Sequence, residues 1–114
     1  MALSCESYLP LSPATMHVLL ALTAGDLNGY GIMLTVARHS AGVYKIGPGT
    51  LYDNLKKLLA QGLVTEVRGK SSAQDHRREY RLTSLGSDVL RAETERLSQV
   101  IKFARRSFRA AEGM

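Results

Sequence analysis

Gly47-Pro48-Gly49-Thr50-Leu51-Tyr52-Asp53-Asn54-Leu55-Lys56-Lys57-Leu58-Leu59-Ala60-Gln61-Gly62 is the stretch on which the fold turns. Pro48 suits the first turn of a helix, where a missing N–H has no intrahelical bond to lose. Leu51, Leu55, Leu58 and Leu59 recur at helical spacing and make one apolar face, and Gly62 after Gln61 supplies the stop. Opposite the leucines stand Thr50, Asp53, Asn54 and Lys57, with Tyr52 and Lys56 on the flanks. The segment is therefore a helix with one side for a core and one side of hydrogen-bonding groups.

On its C-terminal side, Leu63 to Arg68 and Glu79 to Leu82 alternate apolar and polar residues over strand-like lengths. The polar stretch between them, residues 69–78, makes a hairpin with a long basic tip. On its N-terminal side, Val43 to Ile46 reads as extended, and Ile32 and Val36, with Met33 and Ala37, predict a short amphipathic helix over 29–40. Gly25-Asp26-Leu27-Asn28 has the composition of a turn. Ser12-Pro13, an N-cap followed by proline, opens an apolar helix over 13–24 that carries Met16, Val18, Leu19, Leu20 and Leu22. Thr83 offers an N-cap to a final long helix of about 25 residues without proline.

Helix, helix, helix, hairpin, helix is the order of a winged helix-turn-helix. The expected fold is α+β, mostly helical, with a two-stranded β wing and a long C-terminal helix. Residues 1–11 form an N-terminal extension, 12–82 the winged helix-turn-helix and 83–114 a dimerisation helix. A chain of 114 residues suits one core rather than two.

Charge is unevenly spread. The net charge is +5, yet residues 1–37 hold only Glu6 and Asp26, while residues 38–81 hold nine Lys or Arg against four Asp or Glu. Concentrated positive charge is what a polyanion-binding surface needs. The major groove of duplex DNA, about 12 Å wide, accepts a helix whose outward residues meet base edges. The expected contacts from the third helix are Thr50, Tyr52, Asp53, Asn54, Lys56 and Lys57, with Asn54 suited to adenine and Lys57 to guanine or a phosphate. From the wing come Lys70, Arg77 and Arg78 near the tip and Arg68 and Arg81 on the stems, meeting phosphates or the minor groove. Asn54, Lys57 and the arginines near residue 77 are thereby expected on one exposed side. A second reading, a winged-helix protein interaction module without specific DNA binding, is motivated by Asp53 within that face.

Three blocks carry a family resemblance. Ser12-Pro13 through Gly29-Tyr30-Gly31-Ile32, then Gly47-Pro48-Gly49-Thr50-Leu51-Tyr52 with Leu55 and Gly62-Leu63-Val64, then Arg78-Glu79-Tyr80-Arg81-Leu82-Thr83 with Gly86 resemble the PadR family of transcriptional regulators over residues 9 to 90. The resemblance implies a repressor whose dimer binds an inverted-repeat operator in double-stranded DNA. In several relatives a small hydrophobic or phenolic effector releases it. Ending after one long helix makes the chain similar to the short subgroup of the family. It has no tryptophan, so a drug-stacking site built on that residue in some relatives is absent. Within the blocks, Tyr30 is expected to pack and Tyr80 to face the core. Tyr52 suits either a phosphate contact or a buttress for the helix start.

The final helix, at about 1.5 Å per residue, is longer than a domain of this size can cover. Leu90, Leu97 and Ala104 recur every seven residues, and Val100, Ile101 and Phe108 widen the stripe, which predicts a homodimer. Enzyme readings fail on inventory: His17, His39 and His76 lie apart, as helix surface, helix end and wing, and no phosphate loop or serine nucleophile motif occurs. Cys5 is the single cysteine, so no internal disulfide forms and no Cys-x-x-Cys pair holds zinc. No cofactor, metal or catalytic residue is expected. The longest apolar stretch is far shorter than the roughly 20 residues a bilayer crossing requires, and the N-terminus lacks the pattern of a secretory leader, so a cytoplasmic location without membrane contact is expected.

Overall fold

The computed structural model describes residues 4–68 and 78–113. Its elements are a 3-10 turn at Cys5–Tyr8, then α1 (Pro13–Ala21), β1 (Leu27–Asn28), α2 (Gly29–His39), α3 (Pro48–Ala60), β2 (Val64–Arg68), β3 (Arg78–Leu82) and α4 (Ser84–Glu112). The expected winged helix-turn-helix with a long final helix is the fold of the chain.

Capping sets the helix starts. Ser12 accepts from the Thr15 N–H at the head of α1, and Thr83 accepts from the Gly86 N–H at the head of α4. α1 stops at Ala21, short of the expected end, because the Thr23 hydroxyl turns back to the Leu20 carbonyl and the chain bends toward Gly25. α3 ends as its pattern implies, and Gly62 takes the left-handed conformation (φ 74°) that turns the chain into β2.

The core is one cluster. Val18 and Leu19 of α1, Ile32 and Val36 of α2, and Leu51, Leu55 and Leu58 of α3 meet Leu63 just before β2, Val64 and Tyr80 of the sheet and Val89 and Leu90 of α4. Each buried aliphatic side chain there stabilises the fold by about 1.5–3 kcal/mol relative to exposure. Tyr80 is buried as expected.

The sheet differs from the expected hairpin. It has three antiparallel strands in the order β1-β3-β2, with Leu27 opposite Tyr80 and Asn28 opposite Glu79. Leu27-Asn28, read from sequence within a turn, is thus a strand, and the Asn28 side chain also caps α2 by accepting from the Gly31 N–H at 2.7 Å. Two residues are too few to show a period of two, so this strand exists through its partner and not its own pattern.

Two further expectations change. Tyr30, expected to pack, is 62% exposed, because Ile32 and Val36 occupy the inner face of α2. Leu90, expected in the dimer stripe, is buried in its own domain's core. The stripe on α4 divides there: its first half faces the domain, and Val100, Ile101 and Phe108 beyond it stand exposed.

The segment before α1 packs on α4 and is held by a buried carboxylate. Glu93, 1% exposed, accepts from the Leu11 N–H at 2.7 Å and from the Arg96 guanidinium. Cys5, Tyr8, Leu9 and Leu11 are half-buried against the core.

Candidate nucleic-acid interface

α3 fixes the candidate face. With Leu51, Leu55 and Leu58 buried, the helical period carries Thr50, Tyr52, Asp53, Lys56 and Lys57 to the exposed side. Asn54 does not join them. It is half-buried, its carbonyl oxygen accepts from the Thr15 hydroxyl at 2.8 Å, and its amide nitrogen donates to the Thr50 carbonyl at 2.8 Å. The residue expected to read adenine instead joins α3 to α1. No sequence signal marked Thr15 as its partner, because the two lie on different elements 39 positions apart.

A second joint sets the angle of α3. The Ser40 hydroxyl at the end of α2 donates to the Tyr44 carbonyl and accepts from the Tyr44 N–H, both at 2.9 Å. Tyr44 then stacks on His17 of α1 with ring centroids 4.3 Å apart. His17, read as helix surface, is half-buried by that stack.

Tyr52 links α3 to the start of α2 and the base of the wing. A Cβ on Gly29 would lie 2.3 Å from the Tyr52 hydroxyl and 2.9 Å from its ring carbon, so glycine is what allows the phenol to rest there. Gly29 follows directly on β1, whose Leu27 pairs with Tyr80. The Tyr80 phenol is held above its ordinary pKa, first by burial and then by the charge of Glu66 and the nearby Tyr52, with Arg78 opposing. Of the two roles open to Tyr52, the buttress is present in the structure, and half of the side chain remains exposed.

The wing residues fall into two groups. Arg78 is exposed on β3 and makes only a long 3.4 Å contact to Glu66 on β2, a solvent-screened pair. Arg81 is committed: its guanidinium donates twice to Asp26, at 2.8 and 3.0 Å, tying β3 to the connection after α1. Lys70, Arg77 and the side chain of Arg68 lie outside the described residues, as does His76. Of the expected contact cations that are described, Lys56 and Lys57 on α3 and Arg78 and Arg81 on β3 are exposed, and Arg81 is held by its close ion pair to Asp26. Among the described residues, no group of three His, Cys, Asp or Glu side chains converges as a metal site would require. No described helix is long and apolar enough to cross a membrane.

Comparison with known proteins places these features. Residues 18–92 match the family model of the transcriptional regulator PadR-like family. A 37.1 kDa protein in transposon TN4556 of Streptomyces fradiae is 33% identical over 87 residues, which are 76% of this chain and 24% of that protein. The chain therefore spans about a quarter of that relative. Among solved structures, a transcriptional regulator from Clostridium thermocellum superposes with a TM-score of 0.71 at 23% identity, covering 89% of this chain and 93% of that one. A PadR family transcription regulator from Clostridium difficile gives 0.72 at 20% identity over 85% and 99%. Bacillus subtilis PadR, solved in complex with operator DNA, gives 0.64 at 24% identity over 73% and 47%. At these identities the superpositions establish the fold.

Proposed function

The chain belongs to the PadR-like family of transcriptional regulators, and from that membership we propose that it is a sequence-specific DNA-binding repressor that acts as a homodimer on a palindromic operator. The observation that carries this reading is the exposed face of α3, where Thr50, Tyr52, Asp53, Lys56 and Lys57 stand opposite a fully buried leucine face. α3 enters the major groove, Lys56 and Lys57 meet guanine edges or phosphates, and Arg78 with the basic wing follows the backbone alongside. Lys70, Arg77 and Arg68 extend that wing contact. Asn54 and Arg81 serve the same interface indirectly, by fixing α3 against α1 and β3 against the connection that leads to β1.

Footprinting on DNA upstream of the protein's own gene tests specificity, and protection of one inverted repeat is expected. Lys57→Ala combined with Arg78→Ala should then weaken binding to every duplex and reduce the slope of log affinity against log salt by about 2, near one unit per lost phosphate contact. An unchanged slope, or uniform protection at all sequences, defeats the reading and leaves the protein interaction module.

Val100, Ile101, Ala104 and Phe108, with Leu97 at the near end, offer the dimer surface, and Phe103, absent from the sequence reading, is exposed beside them at 66%. Leu90 drops out because its own core covers it. A paired α4 gives two α3 helices related by a two-fold axis, as a palindrome requires. Ile101→Asp with Phe108→Asp should convert a dimer into a monomer in sedimentation at micromolar concentration. A monomeric parent chain would end the proposal.

Release by a small hydrophobic or phenolic effector completes the reading. A cleft of about 360 Å³ between α1 and α4, lined by Leu20, Thr23, Ser87, Leu90 and Thr94 among others, is in the size range of small-ligand sites. A panel of phenolic acids added to the operator complex checks this, with loss of the footprint as the expected result.

A further inference from the structure

Beyond the last turn that packs on the domain, α4 separates its chemistry onto two sides. Val100, Ile101, Ala104 and Phe108 form the apolar side. At about 3.6 residues per turn, Lys102, Arg105, Arg106 and Arg109 fall together on another. With Gln99 they line one shallow groove along the helix. All four cations are exposed, and none has an ion-pair partner among the described residues. Glu112 is the single acidic residue from Val100 onward, whereas the first half of the helix mixes Asp88, Glu93 and Glu95 with Arg91 and Arg96. Positive charge is thus gathered at the distal end, away from the acids that offset it elsewhere.

We infer that this face is a second, sequence-independent binding surface for duplex DNA, separate from α3 and the wing. Four cations over eight residues span about 10 Å of helix axis, close to the length of three phosphates of one strand at about 3.4 Å each. A continuous backbone supplies anions at that density. Arginine and lysine meet it without base readout, so the surface adds affinity and not specificity. Val100, Ile101, Ala104 and Phe108 lie across the helix from the cations and are occupied once α4 pairs, which leaves Phe103 as the single large exposed apolar side chain described at the edge of the basic face. An aqueous polyanion therefore suits the face better than a lipid surface, which needs an insertable apolar side next to the charge. The choice of DNA rests on the regulator reading above, whereas the groove and its charge do not.

The test uses the full chain and fluorescence anisotropy against a random-sequence duplex of about 30 base pairs. The combined variant Lys102→Gln, Arg105→Gln, Arg106→Gln and Arg109→Gln should bind it roughly 1000-fold more weakly at about 100 mM salt, with a salt slope shallower by about 3. Glutamine keeps helix propensity, and circular dichroism and sedimentation of the variant should match the parent. Arg105→Lys with Arg106→Lys and Arg109→Lys should retain the parent's affinity, since charge and not packing is what binds. A variant altered at Lys56, Lys57 and Arg78 should lose operator footprinting and weaken on random duplex, yet keep a salt-dependent random-duplex binding that the four glutamine substitutions remove. If it binds no duplex, or if the glutamine variant binds as the parent does, the second surface is refuted. Tighter binding of the parent to vesicles containing about 30% phosphatidylserine than to duplex also refutes it. A parent with no operator preference but with α4-dependent duplex binding would fail the repressor reading and uphold this one.

Discussion

Gly86→Ala is expected to cost the fold about 3 kcal/mol, at the top of the range for overpacking a core. A Cβ at that position would lie 2.1 Å from the Leu63 carbonyl oxygen, 3.0 Å from the Leu63 carbonyl carbon and 2.8 Å from a Leu82 methyl. The methyl can rotate aside, but the backbone cannot. Leu63 is itself buried, and its carbonyl accepts the Thr83 N–H at 3.1 Å, so moving it breaks the bond that seats the start of α4. The neighbouring Thr83 hydroxyl donates to the Gly62 carbonyl at 2.7 Å, which pins the same corner again. Relief requires α4 to lift from the domain, withdrawing Val89 and Leu90 from the core. Urea unfolding should show a lower midpoint at an unchanged m-value, and Tm should fall by roughly 10–20 °C. A Tm within about 2 °C of the parent would mean that the two backbones do not meet as described.

Loss of the Glu93 carboxylate comes next in size. Glu93→Ala leaves the Leu11 N–H without its acceptor and the Arg96 guanidinium without its partner, at an expected cost of roughly 3 kcal/mol. Glu93→Gln, which keeps one acceptor, should cost less. The carboxyl is held below its ordinary pKa, first by the hydrogen bond from Arg96 and then by the Leu11 N–H, against the opposing effect of burial. A folded pKa below the unfolded one means that the stabilisation is complete above the ordinary carboxylate range. It is lost as pH falls through that range toward the folded value. Parent and Glu93→Gln stability should therefore converge on acidification below about pH 4. A constant difference between the two down to pH 3 would argue against an ionised tether.

The helical part of the fold was legible because it rests on periodicity and capping. Ser12-Pro13, Thr83 and the leucines of α3 each act through contacts within a few residues, which a linear pattern records. What escaped notice depends on partners remote in sequence. Leu27-Asn28 becomes a strand only against Glu79 and Tyr80, and Glu93 matters only because Leu11 arrives beside it. Asn54 shows the same limit within the candidate site, since an exposed-looking amide on a helix wheel was claimed by Thr15. Lys56, Lys57 and Tyr52 could be placed from the wheel alone because the opposite face was unambiguous. The division of the α4 stripe at Leu90 required knowing where the domain ends, and a seven-residue repeat does not state that.

The two residues of β1 have a consequence for how the chain can vary. Asn28 faces the α2 N-terminus while its backbone matches Glu79, so one insertion or deletion within Leu27-Asn28 would exchange inward and outward positions. The cap would then point away from Gly31 and Leu27 away from the interior. Length changes are consequently confined to the bend before Asp26, where no ladder enforces alternation. The bidentate Arg81 bond tightens that tolerance, since Asp26 must stay within reach of the same guanidinium. In descendants of this sequence, drift should accumulate at Ala24 and stop at Gly25, whose φ of 156° disfavours any side chain.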